Sequence, residues 1–301
     1  MKYQLPLLAV LVLVSLPTAA QPVVLGQYNM AYPFPSPDGT HLVFQGDFDG
    51  RWQLYTLTLD GGEVQRLSTS LADDTHPAYS PDGRTVAFIS NEPGNDDVYL
   101  LNVETGERRP LVPHPGKDGH PKWSADGEWV VFNRTFDPAD VDGDIDAAIL
   151  RVRPDGTDLE VLSDSDQIET FPSFSPDGRF IVCVEWFPNA AGEPARNGEL
   201  IKVEIETGVR TRLTDNAVFD AYPYWGGEWI YFTVFDTDAE GQRRAAVHRM
   251  SADGAIVEQV TEPGPIPDVR AIPSRDETQV FYNNREDGRT VILMEALPPR
   301  G

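Results

Sequence analysis

Cysteine is almost missing from this chain: Cys183 is the only one in 301 residues, so neither an intramolecular disulfide nor a Cys–His zinc module can hold the fold. Within Phe180-Ile181-Val182-Cys183-Val184 the thiol reads as a small core hydrophobe. Basic residues are scarce, 24 Lys and Arg against 48 Asp and Glu, for a net charge of −24. Such a chain has no clustered cations to neutralise phosphates, which argues against DNA, RNA and anionic lipid as partners. Nucleophile motifs are missing too: there is no Gly-X-Ser-X-Gly elbow and no glycine-rich phosphate loop. The histidines at 41, 76, 114, 120 and 248 stand apart from any obvious serine or cysteine pair. Only one long apolar run occurs, Leu5 to Leu16, short of the ~20 residues that span a bilayer. With Lys2 before it and Thr18-Ala19-Ala20 after it, it reads as a signal peptide over residues 1–20, cleaved before Gln21. The expectation is a periplasmic or secreted protein with no membrane span after cleavage, monomeric, with one domain over residues 21–301.

What the chain has is a repeat. The phrase X-Pro-X-X-Ser-Pro-Asp-Gly returns at intervals of 44 to 51 residues: Tyr32 to Gly39, His76 to Gly83, His120 to Gly127 (with Ala125 for the second proline) and Phe171 to Gly178. A fifth copy, Tyr222-Pro223-Tyr224-Trp225-Gly226-Gly227, loses the turn, and a sixth survives as Ala271-Ile272-Pro273-Ser274-Arg275-Asp276. Short apolar runs such as Leu42-Val43-Phe44 and Val130-Val131-Phe132 follow and predict buried strands; a third, half-wet strand, a Gly-containing hairpin and an edge strand complete each unit. Six units of four antiparallel strands, with no helical periodicity, predict an all-β, six-bladed β-propeller. The last unit stops after its third strand, so the segment Pro22-Val23-Val24-Leu25 is expected to supply the outer strand of blade six.

The repeated Ser-Pro-Asp-Gly turns behind an aromatic–proline pair resemble the WD40-like repeats of the TolB-type propeller over nearly the whole chain after residue 20, without the small α/β domain that precedes the TolB propeller. The resemblance implies an exported binding protein, although the same repeat serves domains attached to peptidases and some polysaccharide-active enzymes. It also implies that the loops entering strand one and those joining strands two and three share one face of the channel. Met30, Asp74, Asp118, Glu169, Asp220 and Asp268 fall in the first of these loop classes, five of the six acidic. They are expected either to cap their turns or to ring the mouth, raising one another's pKa and attracting a cationic ligand.

His76 and His120 take the same place in adjacent repeats, where packing is the simple reading and a transition-metal site the sharper one. Asp140-Val141-Asp142-Gly143-Asp144-Ile145-Asp146 is acidic enough for calcium but fails the EF-hand spacing. No cofactor is expected beyond these candidates. Long loops from Arg134 to Ala147 and from Glu185 to Glu199 would raise a wall beside the funnel, with Phe136, Trp186 and Phe187 as apolar anchors. The resulting expectation is a non-enzymatic propeller binding a protein or envelope ligand at an acidic funnel face. A metal-dependent polysaccharide lyase or hydrolase is the alternative.

Overall fold

Ser-Pro-Asp-Gly makes a tight reversal because its serine and aspartate side chains and its glycine N–H all find partners within the turn. Ser36 Oγ donates to Asp38 Oδ1 at 2.6 Å, the same carboxylate accepts the Thr40 N–H, and Gly39 takes a φ of +71° as its N–H reaches the Ser36 carbonyl. The serine–aspartate bond recurs at 2.6 Å in Ser80–Asp82, Ser124–Asp126, Ser175–Asp177 and Ser274–Asp276. The Ser36 hydroxyl, followed by the Thr40 amide, holds the Asp38 carboxyl down to about 2. Blade five, lacking the motif, borrows a partner: Gly227 N–H donates to Glu277 of the next blade at 3.0 Å.

Each turn joins the first two strands of an antiparallel sheet, and the computed structural model arranges six such sheets as a six-bladed propeller. It describes residues 23–25, 29–92, 94–136, 147–163, 168–187, 197–265, 270–286 and 288–297, among which there is no helix. The innermost strands are Asn29–Pro35, Asp74–Tyr79, Lys117–Trp123, Glu169–Phe174, Phe219–Trp225 and Ile272–Pro273. In blade five a short fifth segment, Gly264–Pro265, also pairs with the third strand, Arg243–Ser251. Blade six is completed by the chain's other end, because Val23–Leu25 pairs with Arg289–Ala296 in the register Val23↔Met294, Val24↔Leu293, Leu25↔Ile292. The closure expected from the sequence is therefore present. The leader residues lie outside the described ones.

Both faces of each blade are apolar because each packs on a neighbour, and six core clusters result, one at every interface between adjacent blades. Val43 and Leu54 of blade one meet Val86 and Phe88 of blade two, and Phe44 with Tyr55 meets Phe281 and Ile292 across the closure. Full burial of each such side chain stabilises the fold by about 1.5–3 kcal/mol. Cys183 stands where the other blades carry Phe44, Phe88, Phe132, Phe232 and Tyr282, wholly buried. Burial pushes its thiol well above the usual range, as expected of a core hydrophobe.

Candidate functional site

The residue before each motif proline shapes the channel. Tyr32, His76, His120, Phe171 and Tyr222 have φ of 55°, 53°, 57°, 56° and 54°, a left-handed conformation that is strained for non-glycine residues and unusual before proline. Each X-Pro pair accordingly sits at a break in the ladder, for example between Thr75 and Ala78 or Gly119 and Lys122. The five rings form a chain around the axis, with centroids 4.3 Å apart for Tyr32–His76, 4.8 Å for His76–His120, 4.4 Å for His120–Phe171 and 4.5 Å for Phe171–Tyr222. Favourable edge-to-face contacts of ~0.5–1.5 kcal/mol offset part of the backbone strain.

The sixth place is filled by Arg270. Counting back from Ser274 as from Ser36, it takes the position of Tyr32, and its guanidinium lies 4.0 Å from the Tyr32 ring centroid, 4.2 Å from Tyr222 and 5.5 Å from Phe171. Its buried Nε has no hydrogen-bond partner among the described residues. One step along the axis lies a second cation, Lys122, whose Nζ among the described residues reaches only the Pro121 carbonyl, at 3.2 Å, and the Phe34 ring, at 5.9 Å. Burial, reinforced by the Arg270 charge, pulls its ammonium down to about 7.

Beyond this layer the channel widens into a cavity of about 330 Å³ bounded by the Ser-Pro-Asp-Gly turns, with Phe34, Lys122, Ser173 and Tyr224 among the lining residues and Arg275 alongside. All six blades contribute to its wall. It opens at the mouth opposite the loops that the sequence had singled out, because the turns end the innermost strands and the acidic residues begin them.

Those acidic residues are placed differently from the expected ring. Asp74, Asp118, Glu169 and Asp220 are buried, at 0 to 5 % exposure, and paired inside their own blades. Asp74 meets Arg108 at 2.9 Å, Asp118 meets Arg134 at 2.6 Å, Glu169 meets Arg210, and Asp220, with no cation beside it among the described residues, accepts from Asn216 at 2.7 Å. Where carboxyls are pushed up, to about 6 for Asp118 and Asp220, burial does it, and the acids charged to raise them further are Asp97 and Glu199 of their surroundings rather than one another. They fix strand ends and do not form an open charged floor. Asp268 lies outside the described residues, as do most of the two long loops and the whole Asp140–Asp146 segment.

His76 and His120 do come together, each tied through Nδ1 to its own blade, to Thr75 at 2.9 Å and Asn133 at 2.8 Å. Burial and then the Arg270 charge lower both imidazoles well below their ordinary range. No group of three His, Cys, Asp or Glu side chains converges at metal-ligand spacing among the described residues. Of the proposed anchors, Phe136 is exposed beside His114, Trp186 donates to Thr170 at 2.8 Å and packs on Phe219, and Phe187 lies under Arg212. The last two are thus part of the packing around blade four.

The neutral histidines carry a pH signature. Because the folded chain holds them unprotonated while the unfolded chain takes up a proton near 6.5, stability contributed at neutral pH is lost as pH falls below about 6.5, by up to ~1.4 kcal/mol per unit for each ring. Phe171 shows that the same backbone accepts phenylalanine. The double variant His76→Phe, His120→Phe is therefore expected to lose several degrees less melting temperature than the parent between pH 7.5 and 5.5. Parallel pH profiles would contradict neutral burial.

Comparison with solved structures places the chain among six-bladed propellers. A protein described as TolB from Agrobacterium tumefaciens superposes with a TM-score of 0.66 at 22 % identity, over 90 % of this chain and 91 % of that one. TolB from Acinetobacter baumannii also gives 0.66, at 20 % identity, over 89 % of this chain and 64 % of the other. An oligogalacturonate lyase in complex with manganese reaches 0.56 at 16 % identity, over 93 % and 94 %. At such identities the likeness is one of fold. No curated protein matches the sequence. The profile of one sequence family does match, over residues 53–291, and with more than half its length inside that match the chain belongs to the Tricorn protease N-terminal beta propeller domain family.

Proposed function

We propose that this protein is an exported, non-enzymatic binding propeller that seats its ligand on the channel axis, in the cavity at the Ser-Pro-Asp-Gly mouth. The observation that carries this reading is the cavity itself: about 330 Å³, walled by all six blades, with aromatic sides and a cation at its base. That is the low end of the usual size for small-ligand sites, and its mix of apolar wall and few polar groups is typical of them. Binding rather than catalysis is favoured by the side chains on the axis. They are aromatic rings, histidines bonded to their own blades and two cations, while Cys183 is buried in the core. The TolB neighbours and the leader-like N-terminus support export.

Ala125 gives a test. It is an exposed rim residue of the cavity, standing where blades one, two and four place Pro37, Pro81 and Pro176, so Ala125→Trp should close the mouth without touching the core. Protein expressed with its leader in a bacterial host and purified from the periplasmic fraction is expected to retain a small molecule in native mass spectrometry that the variant lacks. Equal retained mass in both proteins, or retention by neither after exposure to the host's small-molecule extract, would overturn the reading.

A further inference from the structure

We infer that the ligand is an amphipathic monocarboxylate, its carboxylate lodged between Lys122 and Arg270 and its apolar body in the cavity at the turn mouth. This rests on the binding reading above and narrows it to a chemical class.

Two cations stand on the axis of a protein whose net charge is −24. Nearly every other enclosed guanidinium has a carboxylate: Arg134 has Asp118, Arg108 has Asp74, and Arg210 has Glu169 and Glu185. Lys122 and Arg270 have none among the described residues. Lys122 holds one backbone carbonyl, and among the described residues the buried Arg270 Nε finds no acceptor. Enclosed charges are ordinarily paired, and an unmet buried donor is costly. Both side chains line a void of about 30 Å³ shared with His120, Phe171, Tyr222 and Ile272. That is more than a single water requires and is on the scale of a carboxylate group. Lys122 also lines the large cavity, so a head group in the small void would lead directly into the aromatic-walled space.

The rim decides what kind of anion fits. Asp38, Asp82, Asp126, Asp177 and Asp276 are each bonded to a turn serine that lines the cavity, five carboxylates against, among the described residues, the single rim cation Arg275. A polyanion would meet that negative collar, whereas an acid with one charge and an apolar body carries its charge past the collar to the two cations. Tyr79, Phe174 and Trp225 offer the body an apolar wall.

Calorimetry on the full chain supplies the test, with indole-3-acetate, phenylacetate and octanoate as acids, tryptamine as the matched amine and benzenehexacarboxylate as the polyanion. At least one monoacid is expected to bind, about tenfold or more tighter than tryptamine or the polyanion, and Lys122→Met is expected to weaken it by a similar factor while remaining folded. Proton uptake gives a second readout. Among the described residues the groups acting on Lys122 are Arg270 and the neutral His76 and His120, with Tyr224 in the same cavity wall. An anion beside the ammonium should therefore raise its pKa from about 7 and draw in a fraction of a proton at pH 7.5, in the parent and not in Lys122→Met. Equal acid affinity in parent and Lys122→Met, or failure of all three acids, overturns the inference. If tryptamine binds as tightly as the acids and Ala125→Trp blocks it, the anion class falls while the cavity reading stands. Ligand retained equally in Ala125→Trp defeats the cavity reading instead.

Discussion

Replacing Arg134 with leucine should lower the melting temperature by about 6–20 °C at pH 8, since stranding one partner of a buried ion pair costs about 3–5 kcal/mol and each kilocalorie moves a large domain by ~2–4 °C. Arg134 is 2 % exposed, its Nε and Nη2 hold the two Asp118 oxygens at 2.6 and 2.9 Å, its Nη2 also holds the Val112 carbonyl at 2.8 Å, and its plane lies over Phe132. Leucine fills part of the space but leaves Asp118 buried and unpaired. Even with its guanidinium partner the Asp118 carboxyl is pushed up to about 6; without it the carboxyl rises further, and the folded variant takes a proton to neutralise it. A raised carboxyl is penalised above its folded pKa and relieved as pH falls through it. The variant's deficit should therefore be smaller at pH 5 than at pH 8. Adding Asp118→Asn should recover part of the loss, and a single variant within about 2 °C of the parent at pH 8 would show the pair to be dispensable. The same reasoning bears on Glu169 and Asp74: reversing their charge would break blades before it informed on any ligand.

The repeat phrase made the ring legible because it encodes its own turn: serine, aspartate and glycine satisfy one another within four residues, so the same local physics is written out again in five of the six blades. Chain-end closure was legible for a related reason, an unpaired third strand at one end and an unassigned apolar segment at the other. The site was not. Acidic residues ahead of each proline suggested a charged mouth, but sequence does not show that Arg108, Arg134 and Arg210, 16 to 41 residues away, fold back on Asp74, Asp118 and Glu169. Arg270 was hidden by decay of the sixth repeat, in which Ala271 stands where the other copies carry their first proline. Counting four residues back from the turn serine, which gives Tyr32, His76, His120 and Phe171, gives Arg270 from Ser274 and was the signal available. Lys122 sits in a variable slot of the phrase, beside Phe34, Ala78 and Ser173 in the other copies, and only closure of the ring turns that slot toward the axis.

Deleting Gln21 to Gln27 should destabilise the entire ring rather than its edge alone. Three residues are all that the N-terminal strand contributes, yet they cover the backbone edge of Arg289–Ala296, whose Ile292 and Leu293 are 0 and 2 % exposed and pack against blades one and five respectively. Loss of a few ladder bonds at ~0.5–1.5 kcal/mol each, with the apolar contact that goes with them, amounts to roughly 2–4 kcal/mol, or about 5–15 °C. Blade six bridges blades five and one, so loosening it opens both interfaces at once, and unfolding should remain a single transition at the lower temperature. The uncovered strand also becomes a template for pairing with a second copy, which predicts concentration-dependent dimers in sedimentation velocity. Leu25→Pro isolates the hydrogen bonding from the deletion: Leu297 N–H points to Thr278 of the second strand, so by alternation Leu293 turns that way and Ile292 turns toward its partner Leu25, and proline at Leu25 removes a ladder donor with the segment otherwise kept. It should reproduce part of the deletion's loss. A deletion that leaves the melting temperature within about one degree of the parent, with no change of mass in solution, would mean that the pairing of the two chain ends does not hold the propeller closed.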